Sequence, residues 1–490
     1  MGDQESTDVP EIRPEGLPGE GSTKRDVDVP APLREFMTRG WADPPDAEVT
    51  PLPAAPYCAK RRAALSGRFP REALVVPTGG LKVRANDTDY PFRPGSDVYW
   101  LTGQHEPDSV LVMSPEGEGH VSTLFVAPRS DRSSTAFFTD RRYGELWVGP
   151  RRGIAETAAA LGIDCRPLDD LPGVLAGLQQ PVRMLRGVDD RVDGQLPGVR
   201  SEGDAELATA LSELRLVKDD HEVAMLEEAV AATVRGFEDV VRELPRAVET
   251  SERWLEGTFH RRARVEGNDV GYGSICAAGP HATTLHWDRN DGPVRPGELL
   301  LLDMGVESRS LYTADVTRTL PIDGRWSPVQ RRVYEAVLEA QRAGFAATRA
   351  GNAFLDPHRA AMAVLARHLE EWGILPVPAE QSLAKECGLH RRYTLHGTSH
   401  MLGLDVHDCD AARNEAYRDG TLRVGYVITV EPGLYFQPDD LTVPAEYRGI
   451  GVRIEDDVLV TEDGCRVLSA GLPTDPDEIE RWMAELQSSR

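Results

Sequence analysis

Residues 299–305 read Leu-Leu-Leu-Leu-Asp-Met-Gly, and residues 312–319 read Tyr-Thr-Ala-Asp-Val-Thr-Arg-Thr. Four consecutive leucines predict a strand buried on both faces, so a carboxylate at its end is out of place. Burying a bare carboxylate is costly unless a partner neutralises it. A short turn through 307–310 would pair this strand with one over 311–320 and bring Asp303 and Asp315 together. Like charges held side by side call for a cation between them. The plainer alternative is that Arg309 or Arg318 satisfies one aspartate while the other reaches solvent.

Working outward, residues 395–408 read LHGTSHMLGLDVHD and hold three histidines, His396, His400 and His407, of the 12 in the chain. Glycines at 397 and 403 permit tight backbone, so the side chains can converge on a metal or proton-transfer site. Ser399 lies among them, but no G-x-S-x-G elbow surrounds it. Residues 427–433 (VITVEPG) again end an apolar run in a carboxylate, Glu431. In residues 451–458 (GVRIEDDV) strand alternation puts Arg453 and Glu455 on one face. Read alone, that pair is an exposed ion pair. Beside three other buried-looking carboxylates it becomes part of a site. Four carboxylates and one imidazole balance two divalent cations, and oxygen-rich ligation suits manganese, cobalt(II) or magnesium. Two such ions about 3.5 Å apart can share a hydroxide, lower its pKa and clamp a tetrahedral intermediate. The chemistry is hydrolysis; the spacings do not name the substrate.

The rest of the chain divides by composition. Residues 1–50 form an acidic, Pro-rich segment with little apolar periodicity, expected to be mostly disordered. Residues 57–215 alternate short apolar runs (74–76, 110–113, 124–126) with turns, predicting an α/β domain. Residues 216–472 predict an α+β domain. Its helices are expected from Asp219 or Asp220 to Pro245, over 252–265, from the Ser327-Pro328 cap to about Thr348, and from Pro357 to Trp372. Its strands are expected over 299–304, 311–320, 427–435 and 452–460. Residues 473–490 read as a C-terminal tail. No short-period repeat is visible.

At 490 residues the chain can hold two or three domains with cores of their own. Six scattered cysteines without a C-x-x-C pair argue against a disulfide framework or a thiolate zinc site. A net charge of -25 disfavours nucleic acid or an anionic membrane as partner. No run approaches the roughly 20 apolar residues of a bilayer span. The acidic opening MGDQESTDVP lacks the character of a secretory signal, so a cytoplasmic location is expected.

These stretches carry a resemblance. LHWDRND (285–291), LLLLDMG, TADVTRT, LHGTSHMLGLDVHD, ITVEPGLY (428–435) and YRGIGVRIEDDVLVTEDG (447–464) resemble the catalytic domain of the Xaa-Pro aminopeptidases (aminopeptidase P) of the pita-bread metallopeptidases. RANDTDYPFRPGSDVYWLTGQHEPDSVLV (84–112) resembles their N-terminal domain. The resemblance implies an α/β domain followed by a creatinase/methionine aminopeptidase-like pita-bread domain, and a substrate peptide with proline in second position. It implies Asp303 on one metal, Asp315 and Glu455 bridging both, and His400 and Glu431 completing the other, with Mn2+ or Co2+ as the ion. It places His286 and His407 on the substrate or its tetrahedral intermediate, His396 in the same pocket, and Arg453 and Asp87 around the free N-terminus, with Tyr435 alongside. It gives Glu431 a share in carrying the proton to the leaving nitrogen. It also implies a homodimer or homotetramer. The loop between Asp303 and Asp315 is one residue longer than the common pattern, which a bulge in the hairpin turn would absorb.

Prolidase, which has the same ligands but takes dipeptides, is the alternative within the enzymes. Methionine aminopeptidase lacks the large N-terminal domain, and creatinase lacks the metal. From another class, a non-catalytic pita-bread binding module would have lost ligands, and a scaffold protein would need no convergent histidines.

Overall fold

The computed structural model describes residues 29–42, 49–86, 88–196 and 202–488. Much of the segment expected to be unstructured lies outside the described residues. Within it, Ala31–Met37 forms one short helix opened by a proline and buries none of its side chains.

The N-terminal part is built on a five-stranded mixed sheet. A hairpin of Val110–Glu116, the central strand, and Gly119–Val126 meets the strand Ala73–Pro77 antiparallel, with Leu74 opposite Met113. Val182–Met184 and Asp164–Pro167 add parallel edges. The three apolar runs noted in the sequence are buried throughout, and the helix Ala55–Arg68 lays Cys58 and Leu65 against this core.

The C-terminal part repeats one plan twice. The helix pair Asp220–Glu249 and Glu252–Glu266 is followed by a three-stranded antiparallel sheet of Ile275–Ala278, Leu299–Met304 and Val316–Pro321. The pair Pro328–Ala347 and Asp356–Glu371 is followed by Val427–Val430, Asp456–Val460 and Cys465–Val467. Each helix starts and stops for a local reason. Asp219 and Glu222 cap the first reciprocally, Ser327 and Gln330 cap the third, and Gly373 follows the fourth at φ 68°. Pro245 does not end the first helix as expected; it lies inside it. The turn it weakens carries Leu244 and Ala247 into the core, and that burial offsets the lost hydrogen bond. The segment read as a C-terminal tail contains a helix, Pro476–Ser488, that sinks Ile479 and Met483 into the main core.

The four leucines show why this architecture makes a site. Leu300, Leu302 and Met304 pack among the helix residues Phe237, Leu244, Leu255 and Phe259. Leu301 turns to the other side, with Trp287 and Tyr435. Strand alternation therefore sends Asp303 away from the helices and into the cleft. The partner strand is shorter than expected, beginning at Val316, with Asp303 opposite Thr317. The connecting turn closes on Leu311, whose φ of 63° is left-handed, the conformation of a bulged hairpin. The two later expected strands are each broken in the middle. Val427–Val430 and Gly433–Tyr435 belong to different sheets, as do Gly451–Arg453 and Asp456–Val460. The breaks fall at Glu431-Pro432 and Ile454-Glu455, so two candidate ligands sit where a strand changes sheets.

Gly305, between the two aspartate-bearing segments, has no room for a side chain. A Cβ would strike the Ala314 carbonyl and lie 2.9 Å from the Tyr272 ring. Gly305→Ala should therefore lower stability by about 3 kcal/mol, seen as an earlier midpoint in denaturant unfolding. An unchanged midpoint would show that this hairpin can shift at no cost.

Candidate metal centre and active site

Asp303, Asp315, His400, Glu431 and Glu455 line one cleft of about 760 Å³, together with His286, His396, His407 and Arg453. Each arrives from a different piece of backbone. Asp303 comes from within its strand and Asp315 from just before the partner strand. The segment 398–401 runs beside Val427–Val430: the His400 N–H donates to Thr429 Oγ1, and the Glu431 N–H donates to the Thr398 carbonyl at 2.9 Å. This sets His400 Nε2 3.4 Å from both Glu431 Oε1 and Asp315 Oδ2. Glu455 is tied to the first half by its N–H to the Thr317 carbonyl at 3.1 Å, and the Thr317 hydroxyl donates to its Oε2 at 2.7 Å.

Arg453 and Glu455 do not form the exposed pair of the plainer reading. Both are buried, and Arg453 donates instead to Asp303 Oδ2 at 2.6 Å and to the Tyr435 hydroxyl at 2.9 Å. That hydroxyl lies 2.8 Å from His396 Nε2, and His396 Nδ1 lies 3.3 Å from Glu431 Oε2. Arg318, the other cation considered for the aspartates, is occupied elsewhere. It holds Asp456 and the carbonyls of Glu455, Leu472 and Pro473.

The tightest donor group among the described residues is Asp315, His400 and Glu455, whose ligand atoms fall within 4.8 Å of one another. Asp303 and Glu431 stand beside it, drawn to Arg453 and His396. Burial pushes the Asp315 carboxyl up to about 6, partly opposed by His400 and reinforced by Asp303. Burial raises Glu455 much further, with Asp315, Glu431 and Asp303 adding repulsion. Burial pulls His400 down, yet Asp315 and Glu431 more than reverse it and lift it to about 9. Burial also acts to raise Glu431, but His396, His400 and Arg453 bring it to about 2. Asp315 and Glu455 are thus short of positive charge. Carboxylate oxygens with one imidazole are the donors hard or borderline divalent ions take, so the residues fit such ions.

His286 and His407 are exposed at the mouth of the cleft, and the His407 ring stands edge-on to His400 at 4.4 Å between centroids. Asp87, expected near the substrate N-terminus, lies outside the described residues. Ser399 lines the cleft, but its hydroxyl has no hydrogen-bond partner among the described residues, so nothing activates it as a nucleophile. Two residues that the sequence reading passed over support the site. Tyr272, between two glycines, donates to Asp303 Oδ1 at 2.7 Å. Glu252 is fully buried and receives the N–H groups of Ala278 and Gly292 and the Trp287 indole at 2.7–2.9 Å, which anchors the loop carrying His286. The tyrosine's glycine flanks were a usable signal; Glu252 reads as an ordinary helix-start acid.

Residues 58–184 match the family description "Aminopeptidase P, N-terminal domain", and residues 224–462 match "Metallopeptidase family M24". Over 456 residues the chain is 59% identical to Xaa-Pro aminopeptidase 1 of Streptomyces coelicolor, covering 93% of this chain and 92% of that protein. The chain belongs to metallopeptidase family M24. Its fold is similar to that of two solved aminopeptidases. Pseudomonas aeruginosa aminopeptidase PepP gives a TM-score of 0.77 at 32% identity over 89% of this chain and 99% of its own. Escherichia coli aminopeptidase P with the inhibitor Pro-Leu gives 0.76 at 28% identity over 90% and 100%. Membership in M24 makes the protein a metal-dependent hydrolase, and the pita-bread fold with its preceding α/β domain is what the sequence led us to expect.

The raised Asp315 carboxyl has a consequence for stability. A group ordinarily at 3.8 and lifted to about 6 on folding favours the fold below 3.8 and loses that contribution as pH rises through 6. In chelated protein, Asp315→Asn should gain on wild type between pH 4 and 6 in thermal unfolding. With divalent metal saturating, wild type should be the more stable. A constant difference across that range would show that Asp315 carries no such burden.

Proposed function

We propose that the protein is a two-metal aminopeptidase that hydrolyses the bond between an N-terminal residue and a following proline. The observation carrying this is the meeting of Asp303, Asp315, His400, Glu431 and Glu455 in one cleft of a chain so close to a Xaa-Pro aminopeptidase. We take residues 57–215 as the N-terminal domain and 216–472 as the catalytic domain, closed by the helix that follows.

In this reading Asp303 would hold one metal, Asp315 and Glu455 would serve both, and His400 and Glu431 would hold the other. When bound, such ions supply Lewis acidity and a water acidic enough to attack a carbonyl at neutral pH. The oxygen-rich donor set favours Mn2+, with Co2+ a workable substitute. The protein's own groups do the rest. Glu431, ionised and bounded by His396, takes up a proton and passes it to the leaving imino nitrogen. His286 and His407 donate from the mouth to the developing oxyanion and to the carbonyl of the proline residue. Arg453 and Tyr435 hold Asp303 and His396 in place and frame the space for the free N-terminus, in whose recognition Asp87 is assigned a part by the family resemblance alone. An X-Pro bond has a tertiary amide with no N–H and a rigid ring, so a site that tolerates it need offer no partner for that N–H.

Among the described residues no helix is long and apolar enough to cross a membrane. In this reading the enzyme is cytoplasmic, works on peptides and forms a homodimer or homotetramer.

Two peptides distinguish the readings after chelation and return of manganese. Release of the first residue from Arg-Pro-Pro, with Gly-Pro cut poorly, is the expected result. Cleavage of Gly-Pro alone would make the enzyme a prolidase. With neither peptide cut and no metal bound, the chain would be a binding module.

A further inference from the structure

His400 and His407 bracket a short loop, Met401–Val406, and the loop is held largely by residues of the N-terminal domain. Arg215 ends the helix Glu202–Arg215 and is 4% exposed. Its guanidinium donates to Asp97 Oδ1 at 2.7 Å on the N-terminal helix Ser96–Thr102, to Asp405 Oδ2 at 2.8 Å, and to Asp408 Oδ1. Lys218 Nζ, also buried, donates to Asp408 Oδ2 at 3.0 Å. From the N-terminal domain Arg93 adds a bond to the Leu404 carbonyl at 2.6 Å, and Ser96 donates to Asp405 Oδ1 at 2.6 Å. The Asp408 N–H donates to the Met401 carbonyl at 3.0 Å, closing the loop on itself. Position 403 must be glycine for this closure, since a Cβ there would lie 2.8 Å from Asp408 Cγ and 3.1 Å from Lys218 Cε.

Arg215 and Lys218 fall between the segments 58–184 and 224–462 that the two family descriptions cover. A buried ion cluster of this kind adds little net stability over well-packed apolar residues, because each charge must first be stripped of water. What it does supply is direction: the planar fork of Arg215 reaches three carboxylates on two domains at fixed angles. One of those carboxylates belongs to the residue after His407.

We propose that Arg215 and Lys218 are positioning residues of the active site: gripping Asp408, Arg215 from the end of the N-terminal domain and Lys218 from the start of the catalytic domain, they fix where His407 stands against the substrate. The N-terminal domain is then a working part of the catalytic centre, acting through the Met401–Asp408 loop. This rests on the reading of His407 as a group that touches substrate. A displacement of about 1 Å in such a group can cost on the order of 100-fold in rate.

The test is a double-mutant cycle on the full-length, manganese-loaded enzyme with Arg-Pro-Pro as substrate. The variants are Arg215→Lys, which keeps the charge but loses the fork, His407→Ala, and the two combined. Metal content and melting temperature are measured on each. We expect Arg215→Lys to lower kcat about tenfold with KM within about twofold and metal content unchanged. In the His407→Ala background the same change should cost nothing further. A purely structural role would instead multiply the two losses, and that result overturns the proposal, as does wild-type turnover in Arg215→Lys. If His407→Ala is itself fully active, the role assigned to His407 fails and the proposal falls with it. Should Arg215→Lys not fold, Lys218→Met, which gives up a single bond to Asp408, carries the same cycle with the same expected and contrary results.

Discussion

Asp303, Asp315, Glu431 and Glu455 share one cleft, and the repulsion among them has to be answered from every side. Arg453 and Tyr272 answer for Asp303, His396 for Glu431, and His400 stands between Asp315 and Glu431. These groups are delivered by elements of both halves, so the cleft exists only when both halves of the catalytic domain are assembled. The hydrogen bonds that cross between the halves, from Glu455 to Thr317 and from Asp315 to Asp457, are bonds of the site as much as of the fold. The charge still lacking at Asp315 and Glu455 is what divalent metal brings.

Much of this could be read from the chain alone, for a specific reason. An apolar run that ends in a carboxylate violates the rule that charges stay wet, and such violations mark function. Leu299–Asp303 and Val427–Glu431 announced themselves that way. The histidine stretch did so through glycine spacing. What could not be read was where strands change sheets. The runs 427–435 and 452–460 look continuous because sequence periodicity registers side-chain alternation and not which partner a strand pairs with. Pro245 misled for a related reason: local propensity argues for a stop, while the burial of Leu244 and Ala247 is a tertiary fact. The helix Pro476–Ser488 carries Ile479 and Met483 four residues apart, a legible signal overshadowed by its polar neighbours. Glu252 left no trace at all, since a glutamate at a helix start is ordinary and only its enclosure by three buried N–H donors is not.

The two halves repeat one plan, a helix pair followed by an antiparallel sheet, and they contribute differently to the cleft. The first half supplies two aspartates and a tyrosine. The second supplies the imidazole and two glutamates, the latter placed where its strands break. A strand that leaves one sheet for another turns its side chain out of both packing faces, which frees the carboxylate to point into the space between the halves. The N-terminal domain joins this arrangement through Arg93, Ser96 and Arg215, which bond to the histidine loop.

The alternation along Leu299–Met304 also governs how the chain can fail. Leu300, Leu302 and Met304 face the helices, while Leu301 and Asp303 face the cleft. Slipping this strand by one residue would drive Asp303 among Phe237, Leu244 and Phe259 and turn Leu302 toward the cleft. Such a misfolded state is excluded by the cost of an unpaired charge in oil, well before any metal arrives. The acidic residue that serves the chemistry therefore also proofreads the assembly of the core, and a chain that has packed its leucines has already aimed its first ligand.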